Sequence, residues 1–245
     1  MIDSLLLAAT RVATFEQARA LTNASGFFFE RGGRLFLVTS RHVVHDEPSA
    51  HFPDRLEIEF HVDPANLALA TGYSIPLYRD GVGLWRQGED ASGTVDVAVI
   101  EIERSAMPAT AAYRAFTPDH LRLPPERVAV GTPLLVVGFP LGFHDALHHM
   151  PVVRHAVLAS SFGLRFQGEG YFLTDARTHR GSSGAPVVMR DPGPARGDLP
   201  WVLLGVHSSR LDILARDQGS DEALGLNCAY YADILLTLTE DAALA

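Results

Sequence analysis

Three short segments carry residue types that together can turn a hydroxyl into a nucleophile. His42 in Thr39-Ser40-Arg41-His42-Val43-Val44 is a candidate base, and Asp96 in Val95-Asp96-Val97-Ala98-Val99 is a candidate carboxylate to orient it. Ser183 in Gly181-Ser182-Ser183-Gly184-Ala185-Pro186 is the candidate nucleophile. A serine hydroxyl is weak at neutral pH and needs a base within hydrogen-bond reach. That base needs its other ring nitrogen held by a buried carboxylate, which fixes the tautomer and stabilises the imidazolium. The developing oxyanion must meet fixed backbone N–H groups, and glycine beside the serine lets the chain turn them inward, so Gly181 and Ser183 are the candidate donors. Chemistry of this kind needs no cofactor and no metal. Two positions stay open: Ser182 is an adjacent hydroxyl, and Asp90 is a second carboxylate in the loop before the same strand.

The elements that must position these groups read as strands. Residues 27–30 and 35–39 are apolar runs on either side of Arg31-Gly32-Gly33-Arg34, the pattern of a hairpin. Residues 56–62 alternate apolar and polar with period two, as a half-buried strand does, and 97–102 read as a buried one. The stretch 105–126, rich in Ala and Pro, is the expected crossover. Strand-like runs resume at 133–137, 152–158, 171–174, 185–189 and 201–206. The leucines at positions 5–7 are expected in a packed N-terminal helix, and 231–244 have apolar residues at helical spacing.

Composition bounds the function. At 245 residues, 47% of them hydrophobic, the chain can bury a sizeable core in one or two domains. A formal net charge of -9 argues against nucleic-acid or anionic-membrane partners. The apolar start has no basic region before it and is too short to span a membrane. A single cysteine, Cys228, excludes an intrachain disulfide. It points to a reducing compartment or to bacterial secretion without bridges, and the expected location is the cytoplasm.

The segments LVTSRHVV, VDVAVIEI and TDARTHRGSSGAPVV, in this order, resemble the histidine, aspartate and serine motifs of the chymotrypsin-like superfamily. Within it they resemble bacterial trypsin-like peptidases related to the high-temperature-requirement proteases. The similarity runs from about Ser25 to Ala232. It implies an all-β fold of two six-stranded antiparallel β-barrels with the active site in the cleft between them, plus short N-terminal and C-terminal helices. Residues 1–115 would hold the N-terminal helix and first barrel, and 116–245 the second barrel and C-terminal helix, together one peptidase unit. The resemblance implies a serine endopeptidase with His42, Asp96 and Ser183 as its triad and a protein or peptide as its substrate.

The chain also departs from that pattern. Ser182 stands where the family has Asn or Asp, so activation by pairing a freed N-terminus with that acid is not expected, and Ala185 replaces a glycine. Arg177, six before Ser183, gives no support to a preference for basic residues. No C-terminal peptide-binding domain fits in the few residues after Ala232. Gly205-Val206-His207-Ser208, with Thr178 five before Ser183, resembles the specificity pocket of glutamyl endopeptidases and picornaviral main proteases. It implies cleavage after Glu or Gln, with Thr178 and His207 binding the substrate. His144 and His148 have metal-ligand spacing, but Gly142 and Pro151 flank them and a solvated loop is expected. Two other readings remain: a non-catalytic or chaperone-like binding module on this scaffold, and an effector protease latent until a regulatory partner activates it.

Overall fold

The protein is described here from a computed structural model, which describes residues 2–193, 198–212 and 223–240. The strands in chain order are β1 (Ala9–Glu16), β2 (Arg19–Arg31), β3 (Arg34–Thr39), β4 (Arg55–His61), β5 (Ala70–Pro76), β6 (Tyr78–Arg79), β7 (Val82–Gly83), β8 (Trp85–Asp90) and β9 (Gly93–Ile102). After a linker of short 3-10 turns come β10 (Pro133–Gly138), β11 (Val152–Leu158), β12 (Tyr171–Ala176), β13 (Pro186–Arg190), β14 (Trp201–Asp212) and β15 (Ala223–Tyr231). Two short helices complete the set, α1 (Arg41–Val44) and α2 (Ile234–Leu238). No helix of the described residues is long and apolar enough to cross a membrane.

The fold is all-β. Strands β10-β11-β12-β15-β14-β13 form a closed six-stranded antiparallel barrel. The first half departs from the expected six-stranded barrel: it is a seven-stranded sheet in the order β5-β4-β1-β2-β3-β9-β8, and its outer strands β5 and β8 do not pair. The β6–β7 hairpin lies between those two strands in sequence and pairs only with itself. The expected N-terminal helix is a single 3-10 turn, Ser4–Leu7, started by the Asp3 carboxylate accepting from the Leu5 N–H. The chain then enters β1, where Ala-Thr-Arg-Val-Ala-Thr-Phe-Glu alternates in burial and pairs with both β2 and β4. Strand pairing on both edges overrides the helical leaning of the leucines before it. At the other end α2 covers part of the expected C-terminal helix, and residues 241–245 lie outside the described residues.

The β2–β3 hairpin forms as expected, Phe27 facing Val38 and Arg31 facing Arg34, with Gly32 at φ 58° and Gly33 at φ 77°. A two-residue turn needs both in the left-handed region, which glycine enters without a Cβ clash. Strand β3 is a continuous apolar run because both its faces are covered. Leu35 and Leu37 pack into the core of the first half with Leu56, Ile58 and Phe60. Phe36 and Val38 pack toward the second half, in a cluster that includes Val137, Val188, Leu203 and Leu235. This apolar seam fixes the two halves against each other. It holds the cleft-lining loops in one geometry.

Candidate active site

The register of β3 against β9 brings the first two groups together. Thr39 pairs with Ala98, and two residues beyond that pair on each strand lie Arg41 and Asp96. The chain then closes the one-turn helix α1, anchored by buried Val43 and Val44, which leaves His42 at the cleft. Asp96 holds His42 twice: Oδ1 accepts from the His42 backbone N–H at 2.9 Å, and Oδ2 lies 2.7 Å from Nδ1. The Ser208 hydroxyl also donates to Asp96 Oδ2. Burial disfavours the charged form of each partner, but their mutual hydrogen bond and opposite charge outweigh it. His42 is therefore held above its ordinary 6.5, with Asp46 adding to the rise, and Asp96 below the usual carboxylate value. Asp90 is engaged elsewhere, with Arg165 and with the Ser92 hydroxyl and N–H.

The nucleophile loop is shaped by two glycines in the left-handed region, Gly181 at φ 89° and Gly184 at φ 83°. A Cβ on Gly181 would lie 2.6 Å from the Phe139 carbonyl oxygen, and one on Gly184 would strike the Ser25 carbonyl and the Thr39 hydroxyl. The Arg180 carbonyl accepts from the Leu141 N–H at 2.6 Å. In a trans peptide the next N–H points the opposite way, so the Gly181 amide is turned away from that contact. Among the described residues neither the Gly181 nor the Ser183 amide meets a backbone acceptor. Both residues line a cavity of about 400 Å³ together with His42. Ser182, the alternative hydroxyl, is only 3% exposed. The Ser183 hydroxyl donates to the Ser208 carbonyl at 2.9 Å.

The two candidate specificity residues are both buried in the second barrel. The Thr178 hydroxyl donates to Asn227 Oδ1, whose side-chain NH₂ donates to the carbonyls of Thr174 and Ala176. His207 follows β14 past the nucleophile loop, its carbonyl accepting from the Gly184 N–H at 2.7 Å and from the Ser40 hydroxyl. Burial, with a contribution from the charge on His42, pushes its imidazole down to about 4, so it is neutral at pH 7. Its Nδ1 has no hydrogen-bond partner among the described residues. His144 and His148 do not share a helix; they lie in an irregular segment, tied to the Gly142 carbonyl and to Asp145. Among the described residues no group of three His, Cys, Asp or Glu side chains is placed to hold a metal.

Two residues that sequence reasoning did not single out complete the arrangement. Ser208 hydrogen-bonds both Asp96 and Ser183. Ser25, on β2 and fully buried, ties the first half to the nucleophile loop. Its hydroxyl donates to the Gly181 carbonyl at 2.7 Å and accepts from the Phe139 N–H at 2.9 Å, while its own N–H donates to the Ser183 carbonyl at 2.9 Å. Neither serine carries a local signal, because the contacts of Ser25 with Gly181 and Phe139 and of Ser208 with Asp96 each span more than a hundred residues.

Residues 24–193 match the family model of the trypsin-like peptidase domain. Among solved structures the chain is similar to a serine endoprotease from Yersinia pestis, with a TM-score of 0.56 at 15% identity, over 96% of this chain and 62% of that one. It is also similar to a protease from M. tuberculosis solved in its active form, with a TM-score of 0.49 at 14% identity, over 96% of this chain and 80% of that one. At such identity the likeness to the Yersinia enzyme is one of fold, and this chain spans about three fifths of its length. No curated protein matches the chain.

Proposed function

The chain belongs to the trypsin-like peptidase family, and from that premise we propose that it is a serine endopeptidase working through an acyl-enzyme. The observation that carries this is His42, held by Asp96 at 2.7 Å, lining one cavity with Ser183 and with Gly181, whose amide meets no backbone acceptor among the described residues. Ser183 Oγ attacks the scissile carbonyl, and His42 takes its proton and passes it to the departing amine. The Gly181 and Ser183 amides receive the oxyanion; removing one such donor costs on the order of 3 kcal/mol of transition-state stabilisation. The two halves of the molecule act as the paired barrels of that family, with the cleft between them as the active site.

The residue before the scissile bond is Gln or Glu, and the hydrogen bonding favours Gln. Thr178 spends its proton on Asn227, which leaves its oxygen as an acceptor. A neutral His207 supplies one donor and no charge. A carboxamide can use both, donating to Thr178 and accepting from His207, whereas a carboxylate can use only the donor. Peptides carrying Gln, Glu, Lys, Leu or Phe before the bond provide the test. Gln should be cleaved fastest, by at least about 100-fold over Leu, because an apolar residue leaves the buried polar groups unmatched. All cleavage should vanish in Ser183→Ala. Equal rates across the five, or cleavage of Leu and Phe alone, would reject the pocket reading.

A second reading, a protease held latent until a regulatory partner engages it, is favoured by the Ser183 hydroxyl donating to the Ser208 carbonyl. In that case the rate should rise severalfold when a partner or substrate swings the hydroxyl toward His42, and a rate independent of any added partner would reject it.

A further inference from the structure

The cavity at Ser183 extends away from Thr178 and His207, neither of which lines it. Its far walls belong to the first half: the β1–β2 edge on one side and the loop 46–52 after His42 on the other. A departing amine must leave beside His42, the group that hands it a proton. The walls of this cavity therefore receive the substrate segment after the scissile bond. From its lining we infer that the enzyme selects substrates with a bulky apolar residue at the first position of that segment, an inference that rests on the endopeptidase reading above.

The chemistry of the walls carries it. Leu21, Ala24, Val43, Ala50 and Phe52 supply apolar surface, and Phe52 is 44% exposed, its ring tilted at 56° against that of His45. Most of the polar groups among them are already engaged. Glu16 pairs with Arg19. Asp46 accepts from the Ser49 hydroxyl, and its N–H donates to the His51 carbonyl. His51 Nε2 lies 3.1 Å from the Val43 carbonyl, Thr22 is bonded to Thr14, and Asn23 Oδ1 accepts from Arg11. A polar side chain entering would lose water and meet groups whose partners are taken, whereas an apolar one loses nothing. A volume of about 400 Å³ lies within the range on the order of 300–1,000 Å³ that binds organic ligands, and is ample for a Leu or Phe side chain. Arg180 stands exposed at the mouth, so a preference for an acidic residue is the competing outcome.

Acyl transfer reads this site directly. With the enzyme acylated by a glutamine peptide ester, added amino-acid amides compete with water for the acyl group. The amine nitrogen bonds to the acyl carbon, the carbon–Oγ bond of Ser183 breaks, and the amine proton passes through His42 back to Oγ. Leucinamide and phenylalaninamide should capture the acyl group at concentrations on the order of 10- to 100-fold below glycinamide. Leu21→Trp, which fills the cavity, should bring that ratio toward one. Phe52→Ala, on the opposite wall, should lower it independently, so that a misfolded Leu21 variant leaves the inference testable. Equal capture of glycinamide and leucinamide by the wild type, or better capture of aspartamide, overturns the apolar assignment while the endopeptidase reading stands. An enzyme that neither turns over the ester nor reacts at Ser183 overturns both.

Discussion

His42 and Asp96 hold each other in their charged forms against burial, and the sign of that coupling fixes how activity depends on pH. Burial alone would drive His42 below 6.5, yet the hydrogen bond and charge of Asp96 raise it above that value. Only the neutral ring can take the Ser183 proton, so kcat/KM should fall on the acid side with a midpoint above 6.5. Asp96→Asn removes the raising interaction. It should move the midpoint down and lower kcat by about 10⁴-fold, with the imidazole left in the wrong tautomer. A wild-type pH–rate profile flat from pH 5 to 8 would remove His42 from the role of base.

At the scale of elements, the nucleophile loop is a turn held from outside. Gly184 approaches the Ser25 carbonyl and the Thr39 side chain with no room for a Cβ, and it does so at positive φ. Gly184→Ala should destabilise the fold by about 2–4 kcal/mol, measurable by chemical denaturation. Ser25→Ala leaves a buried N–H on Phe139 and the Gly181 carbonyl each short of a partner, at a cost of about 1–3 kcal/mol. Because Gly181 carries the proposed oxyanion donor, kcat should drop in that variant while KM holds; equal changes in both would assign Ser25 a purely structural role. The motifs around His42, Asp96 and Ser183 were legible in the sequence because their signals are local: a strand followed by a turn, a strand start, and glycines flanking a serine. Ser25 and Ser208 were not legible, because they act through contacts 156 and 112 residues apart.

Across the whole molecule, the strand periods of the second half predicted five of the six barrel strands, while β15 escaped notice because its polar Asn227 and its glycine break the apolar pattern. The first half was misjudged in closure and at its N-terminus, since both depend on which edges find partners rather than on propensity. His207 is buried on β14 of the second barrel, and this sets how global stability responds to acid. Its folded pKa of about 4 lies below the ordinary 6.5, so the unfolded chain binds the proton first as pH falls. Stability is therefore lost progressively from pH 6.5 down to about 4, by roughly 3 kcal/mol. His42, shifted upward, acts in the opposite sense: its contribution is complete below 6.5 and fades as pH rises through its folded pKa. Urea unfolding between pH 7 and 4 should show the loss, and His207→Gln should flatten it; an unchanged slope in that variant would assign the acid sensitivity to other groups. The most direct single test is intact-mass analysis after incubation with a fluorophosphonate, on the wild type and on Ser183→Ala in parallel. One adduct on the wild type and none on the variant is the expected result. An adduct that survives in Ser183→Ala, or a wild type that stays unmodified, would contradict an activated nucleophile at Ser183.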